Sequence, residues 1–140
     1  MIASALTRTG PVSTVVLFMG APKTGEARVI YEQRGFECGV DALWRAADGL
    51  GLAGDDPARV RARIEGRLLS VEWPMPDALR LIGGQATLLT LTFEEEGDGS
   101  LLTLTHAGFG RGPEWDEGLA LHRRWWPGVL EALGRGLGLG

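Results

Sequence analysis

Apolar and polar residues alternate through much of the second half of the chain. Leu69, Val71 and Trp73 alternate with Ser70 and Glu72 until Pro74, which has no N–H to give to a ladder and ends the strand. Leu89, Leu91 and Phe93 alternate with Thr90, Thr92 and Glu94, and Leu102, Leu104 and His106 alternate with Thr103 and Thr105. Between these two runs lies Gly97-Asp98-Gly99, a hairpin signal. A turn centred on Gly97-Asp98 or on Asp98-Gly99 shifts the pairing by two, so the facing is the same either way. The two strands then share one apolar face, and the opposite face is a threonine ladder suited to water.

Helical spacing takes over in two places. Val40, Leu43, Trp44 and Ala47 sit at i, i+3, i+4 and i+7, with Asp41 at the positive end of the dipole and Gly49 at the exit. Trp115, Leu119, His122, Trp126, Leu130, Leu133 and Leu137 form a longer stripe. Pro127 interrupts it and predicts a kink or restart near Trp126. The first half also predicts strands at Val15 to Met19, at Ala27 to Phe36 and around Val60, Ala62 and Ile64. In the last of these, Arg61 and Arg63 fall on the wet face, which reads them as surface residues rather than a basic patch. A curved antiparallel sheet with one apolar face needs a cover, and the C-terminal helix supplies it: an α+β architecture.

The chain has 140 residues, enough for one domain with a real core. Its apolar share of 44% and charged share of 23% are those of a globular protein. A net charge of -4 disfavours nucleic acid and anionic membrane as partners. One cysteine excludes an internal disulfide, and one cysteine with two histidines excludes a structural zinc site built from them. The uncharged stretch Thr9 to Pro22 is too short to span a bilayer and lacks the basic start of a signal peptide, so the expected location is the cytoplasm.

Three segments together resemble a known family. Leu101 to Phe109 (LLTLTHAGF), Trp115 in PEWDEG and Trp126 in HRRWWPGVLEALGRGL are similar to the activator of heat-shock-protein-90 ATPase homologue family. That family lies within the START-like (SRPBCC, helix-grip) superfamily. Gly66 to Trp73 and Ala86 to Gly97 resemble the two strands before the family's Thr-His strand, and Phe36 to Ala47 resembles its first strand and short helix. The likeness runs from about Gly66 to Leu137 and, less closely, from Ala27 to Asp56. Residues 1–26 match nothing in it, and only Arg59 to Glu65 stands where the family carries an extra group of strands. The resemblance implies a helix-grip fold with a shortened or altered N-terminal half. It also implies a cavity between sheet and helix that holds an apolar or aromatic small molecule.

The residues expected to line that cavity are Trp44, Trp73, Leu89, Leu91, Phe93, Leu102, Leu104, His106, Trp115, His122 and Trp126. Trp73, Trp115 and Trp126 are expected inside and Trp125 on the flank. His106 is read either as a group that orients a ligand or as a structural histidine hydrogen-bonded near its strand end. No catalytic residue, metal or cofactor is assigned, and a binding role is favoured over an enzymatic one. A cyclase or hydrolase on this fold would need an acid–base partner for His106; Tyr31 and Glu72 are the candidates, and Glu72 is expected to face outward. A co-chaperone-like interaction module is the other alternative. A short sheet invites edge pairing, which leaves room for a homodimer through the unmatched N-terminal strand. Cys38 has no base beside it in sequence and reads as a buried thiol. GLGLAG at Gly49 to Gly54 follows a helix rather than a strand, and VVLFMGAPKTGE lacks the Gly-Lys-Ser/Thr order, so neither is a nucleotide loop. Glu94 to Glu96 alternate across a strand and do not converge on a metal.

Overall fold

The computed structural model describes residues 28–52 and 56–137. The expected strand at Val15 to Met19 lies outside them. In chain order the elements are β1 (Ile30–Phe36), α1 (Val40–Gly49), a 3-10 turn (Pro57–Arg59), β2 (Val60–Ile64), β3 (Leu68–Pro74), β4 (Ala86–Glu96), β5 (Gly99–Ala107) and α2 (Pro113–Gly136). The five strands form one antiparallel sheet in the order β1-β5-β4-β3-β2. This is the helix-grip arrangement: a meander from β2 to β5, closed at one edge by β1, with both helices on its apolar face.

The alternation sets the register. Phe93 pairs with Leu102, Leu91 with Leu104 and Leu89 with His106, so the apolar rows of β4 and β5 meet directly. Glu96 pairs with Gly99, which makes Gly97-Asp98 the turn, and Gly97 takes the positive φ of +58° that this tight connection requires. Thr90 faces Thr105 and Thr92 faces Thr103 on the other side. Ser70 Oγ extends that ladder to Thr90 Oγ1 at 3.1 Å.

α1 packs over β4 and β5 and touches α2, which leans on β1. Leu43, Trp44 and Ala47 are buried on α1, and Leu119, His122, Trp126, Leu130 and Leu133 on α2. The α2 stripe is as spaced, and of the kink or restart expected at Pro127 no restart occurs: one helix runs through the proline. The segment between β3 and β4 adds three core residues with no periodic signal, Met75, Leu79 and Ile82. They fit beneath α2 where Gly118 leaves room; a Cβ there would lie 3.1 Å from Met75 Sδ.

β2 departs from its expected facing. A bulge between Val60 and Ala62 shifts the register: Val60 faces Val71, but Ala62 then faces Ser70, Arg63 faces Leu69 and Ile64 faces Leu68. The extra residue turns the rest of the strand over. Ile64 is therefore half exposed on the outer face, and Arg63 is brought to the inner one. There its guanidinium lies 5.1 Å from the Trp44 ring centroid, while Trp44 Nε1–H donates to Glu65 Oε2 at 3.1 Å. Arg61 keeps to the outer face and pairs with Glu72.

Candidate functional site

The polar centre of the interior is assembled by three strand ends and one helix. Thr87 at the start of β4 faces Trp73 near the end of β3, and Leu89, two residues on, faces His106 near the end of β5. His122 and Trp126 stand one turn apart on the buried side of α2. The side chains of Trp73, Thr87, His106, His122 and Trp126 thereby converge in one place.

Their hydrogen bonds fix two protonation states. Trp126 Nε1–H donates to His106 Nδ1 at 3.0 Å. An indole nitrogen is a donor only, so His106 Nδ1 is bare and the ring's proton is on Nε2. That N–H donates to Thr87 Oγ1 at 2.6 Å, and the Thr87 hydroxyl donates on to the Trp73 carbonyl at 2.7 Å. Trp73 Nε1–H donates to His122 Nε2 at 3.1 Å, so His122 carries its proton on Nδ1 and donates to the Gly118 carbonyl at 2.8 Å. The two histidines are neutral and of opposite tautomer, and every ring nitrogen has its partner within the chain.

Electrostatics act in the same direction. His106 is fully buried, and burial first, then the neighbouring His122, lowers its pKa from 6.5 to about 3. Burial also lowers the pKa of His122, opposed by the Gly118 carbonyl. A second proton on either ring would face an indole N–H and lose that hydrogen bond. At neutral pH neither ring has a proton to give away or a lone pair free to take one.

Around these groups the interior is aromatic. Ring centroids separate Trp73 from Trp126 by 5.2 Å, His106 from His122 by 4.9 Å and His106 from Phe109 by 4.6 Å, and Phe109 carries the row on to Trp115 at 6.3 Å. On the outward side Trp125 lies 5.8 Å from Trp73. Trp126 is wholly buried, while Trp73 and Trp115 are half-buried rather than inside, and Trp125 is on the flank at 46% exposure. Trp44 and Phe93 form a second contact at 5.1 Å under α1, with Leu89, Leu91, Leu102 and Leu104 buried on the sheet between the two groups. The eleven residues expected to line a cavity thus belong to one packed interior, with Trp73 and Trp115 against its buried members.

The expected acid–base partners do not reach His106. Tyr31 faces outward and is half exposed, and Glu72 is held on the outer face by Arg61. Cys38 is partly buried against the core as a free thiol. No cluster of acidic, histidine or cysteine residues fit for a metal occurs among the described residues. A shallow depression of about 580 Å³ lies apart, at the turn end of the sheet, lined by Gly35, Phe36, Glu37, Glu96, Asp98, Gly99 and Ser100. Sequence reasoning missed Thr87 and Phe109. Thr87 shares the parity of Leu89 and Leu91, which was the available signal; Phe109 follows the strand in a non-periodic stretch.

Comparisons with known proteins agree with this fold. Residues 44–138 match the family described as activator of Hsp90 ATPase homolog 1-like protein. No curated protein matches the chain in sequence. Among solved structures, protein MLL2253 from Mesorhizobium loti is similar with a TM-score of 0.62 at 16% identity, covering 76% of this chain and 94% of that one. CalU16 from Micromonospora echinospora is similar with a TM-score of 0.58 at 19% identity, over 78% and 75% of the two chains. The Aha1 dimer from Colwellia psychrerythraea is similar with a TM-score of 0.57 at 16% identity, over 78% and 95%. At these identities the likeness is one of fold.

Proposed function

The chain belongs to the activator of Hsp90 ATPase homolog 1-like family, and from that premise we propose that it binds an apolar or aromatic small molecule between the inner sheet face and α2. One observation carries this reading: an aromatic row leads from the buried Trp126 through the half-buried Trp73 to the exposed Trp125. Displacing the outer members of that row opens the interior between the end of β3 and the middle of α2. What the interior then offers a guest is almost wholly apolar surface, because the ring nitrogens of His106 and His122 are already used by Trp126, Thr87, Trp73 and Gly118. A guest that needs a hydrogen bond there competes with the protein's own. The same saturation argues against His106 as an acid–base catalyst. No helix among the described residues is long and apolar enough to cross a membrane.

The affinity scale follows from area. A naphthalene-sized guest that loses ~250 Å² of apolar surface gains roughly 6 kcal/mol before association costs. That gross gain sets a limit of about 40 µM on the dissociation constant, and association costs weaken it from there toward 1 mM or above. The test is a fluorescence titration with the neutral probe N-phenyl-1-naphthylamine, following both probe emission and tryptophan quenching. Saturable one-to-one binding is expected, weakened about fivefold or more by Trp73→Ala and by Trp125→Ala. Absence of saturable binding, or binding indifferent to both substitutions, would sink the reading. Trp125 is exposed enough for its replacement to leave the fold intact.

A further inference from the structure

β1 is a seven-residue edge strand with no bulge and no proline, and its outer edge has no partner among the described residues. Such an edge is a template for another strand. The opposite edge differs: β2 is shorter, bulged and flanked by arginines. The sequence of β1, IYEQRGF, is self-complementary when laid antiparallel on itself about Gln33. Ile30 of one copy then faces Phe36 of the other, Tyr31 faces Gly35, and Glu32 faces Arg34.

The charges single out that register. Glu32 and Arg34 lie on the same face of β1, opposite Leu104 and Leu102 of β5. Glu32 is half-buried, and burial pushes its carboxyl up, with Arg34 opposing. Neither has an ion-pair partner among the described residues. Slipping the pairing by two in either direction keeps the faces but sets Glu32 against Glu32 or Arg34 against Arg34. Directly opposed like charges disfavour both alternatives. At the central register the two opposite-charge pairs form, and the Tyr31 ring covers Gly35 of the other copy.

We propose that β1 pairs antiparallel with β1 of a second copy about a two-fold axis at Gln33, joining the two five-stranded sheets through two Glu32–Arg34 pairs. The axis makes the interface isologous, with each contact made twice. A seven-residue ladder buries less than the roughly 1,200 Å² of a standard interface, so the dimer is weak and concentration-dependent, with a dissociation constant in the micromolar range or above. It forms independently of whether the interior holds a guest.

Sedimentation velocity of the full chain up to about 0.5 mM, alone and as charge variants, tests this. Glu32→Arg sets arginines against arginines across the axis, and Arg34→Glu sets glutamates against glutamates. Each variant alone is expected to dimerise at least about tenfold more weakly, and an equimolar mixture to recover the association, because the mixed pair restores every opposite-charge contact. A Gln33→Cys change in a Cys38→Ser background is expected to cross-link to dimer under mild oxidation. A wild-type chain that stays monomeric throughout overturns the proposal. A dimer indifferent to both charge variants also overturns it, by placing the interface elsewhere.

Discussion

Trp126→Phe is expected to destabilise the protein by about 2–4 kcal/mol, the largest effect of any single conservative change at the site. Two losses add up. The smaller ring leaves a void in a position with no exposure, and the missing indole N–H leaves the buried His106 Nδ1 without its donor. A buried acceptor stripped of its partner costs more than the hydrogen bond contributed. Denaturant unfolding measures the sum, and a double-mutant cycle with His106→Leu, which removes the acceptor, isolates the coupling, expected at about 1–2 kcal/mol. A loss below about 0.5 kcal/mol would mean that Trp126 is replaceable packing and that the indole–imidazole bond is not a support of the core.

The second large effect is on acid stability. His106 binds a proton at about pH 6.5 when unfolded and only at about 3 when folded. Between those values the unfolded chain holds the extra proton, so stability is full above about pH 6.5 and is lost as the pH falls toward 3. The full depression is worth on the order of 5 kcal/mol, and burial of His122 adds to it in the same direction. The conservative probe is His106→Gln, whose amide oxygen accepts from Trp126 and whose amide N–H donates to Thr87. Between about pH 6 and 4 its stability is expected to fall less steeply than wild type, by about 1.4 kcal/mol per pH unit, one proton's worth. Parallel acid limbs for the two proteins would mean that His106 titrates normally in the folded state.

The parts of the fold that the sequence makes legible are those where one physical rule acts alone. The β4–β5 hairpin is readable because strict alternation about a glycine turn leaves only one set of residues to bury. The α2 stripe is readable because a 3.6-residue period survives Pro127; of the kink or restart expected there, no restart occurs, since residues buried on both sides of the proline hold one helix. β2 was misread because a bulge is invisible to a period-two rule: one unpaired residue turned Arg63 inward and Ile64 outward. Met75, Leu79 and Ile82 were missed because a packed, non-periodic loop carries no pattern at all.

The candidate site was legible in its membership but not in its chemistry. Strand alternation and helical spacing place the eleven residues in or against one packed interior; whether they line a cavity is a matter of packing, which periodicity does not carry. Alternation can place His106 inside; it cannot say which ring nitrogen is protonated. That depends on Thr87, Trp126 and the Gly118 carbonyl, brought together from β4 and α2. The choice between a ligand-orienting histidine and a structural one therefore turned on distances that no periodicity contains. Trp125 lies on the flank as expected, while Trp73 and Trp115, expected inside, are half-buried because the aromatic row continues to the surface.

The central claim is that two neutral histidines of opposite tautomer close the polar interior and leave only apolar surface for a guest. Long-range ¹H–¹⁵N correlation of the imidazole rings at pH 7 tests it most directly. The account requires the proton on Nε2 of His106 and on Nδ1 of His122, with neither ring titrating near its ordinary value. Two rings of the same tautomer, or a His106 that gains its second proton near pH 6.5, would contradict it and return His106 to the candidates for acid–base chemistry.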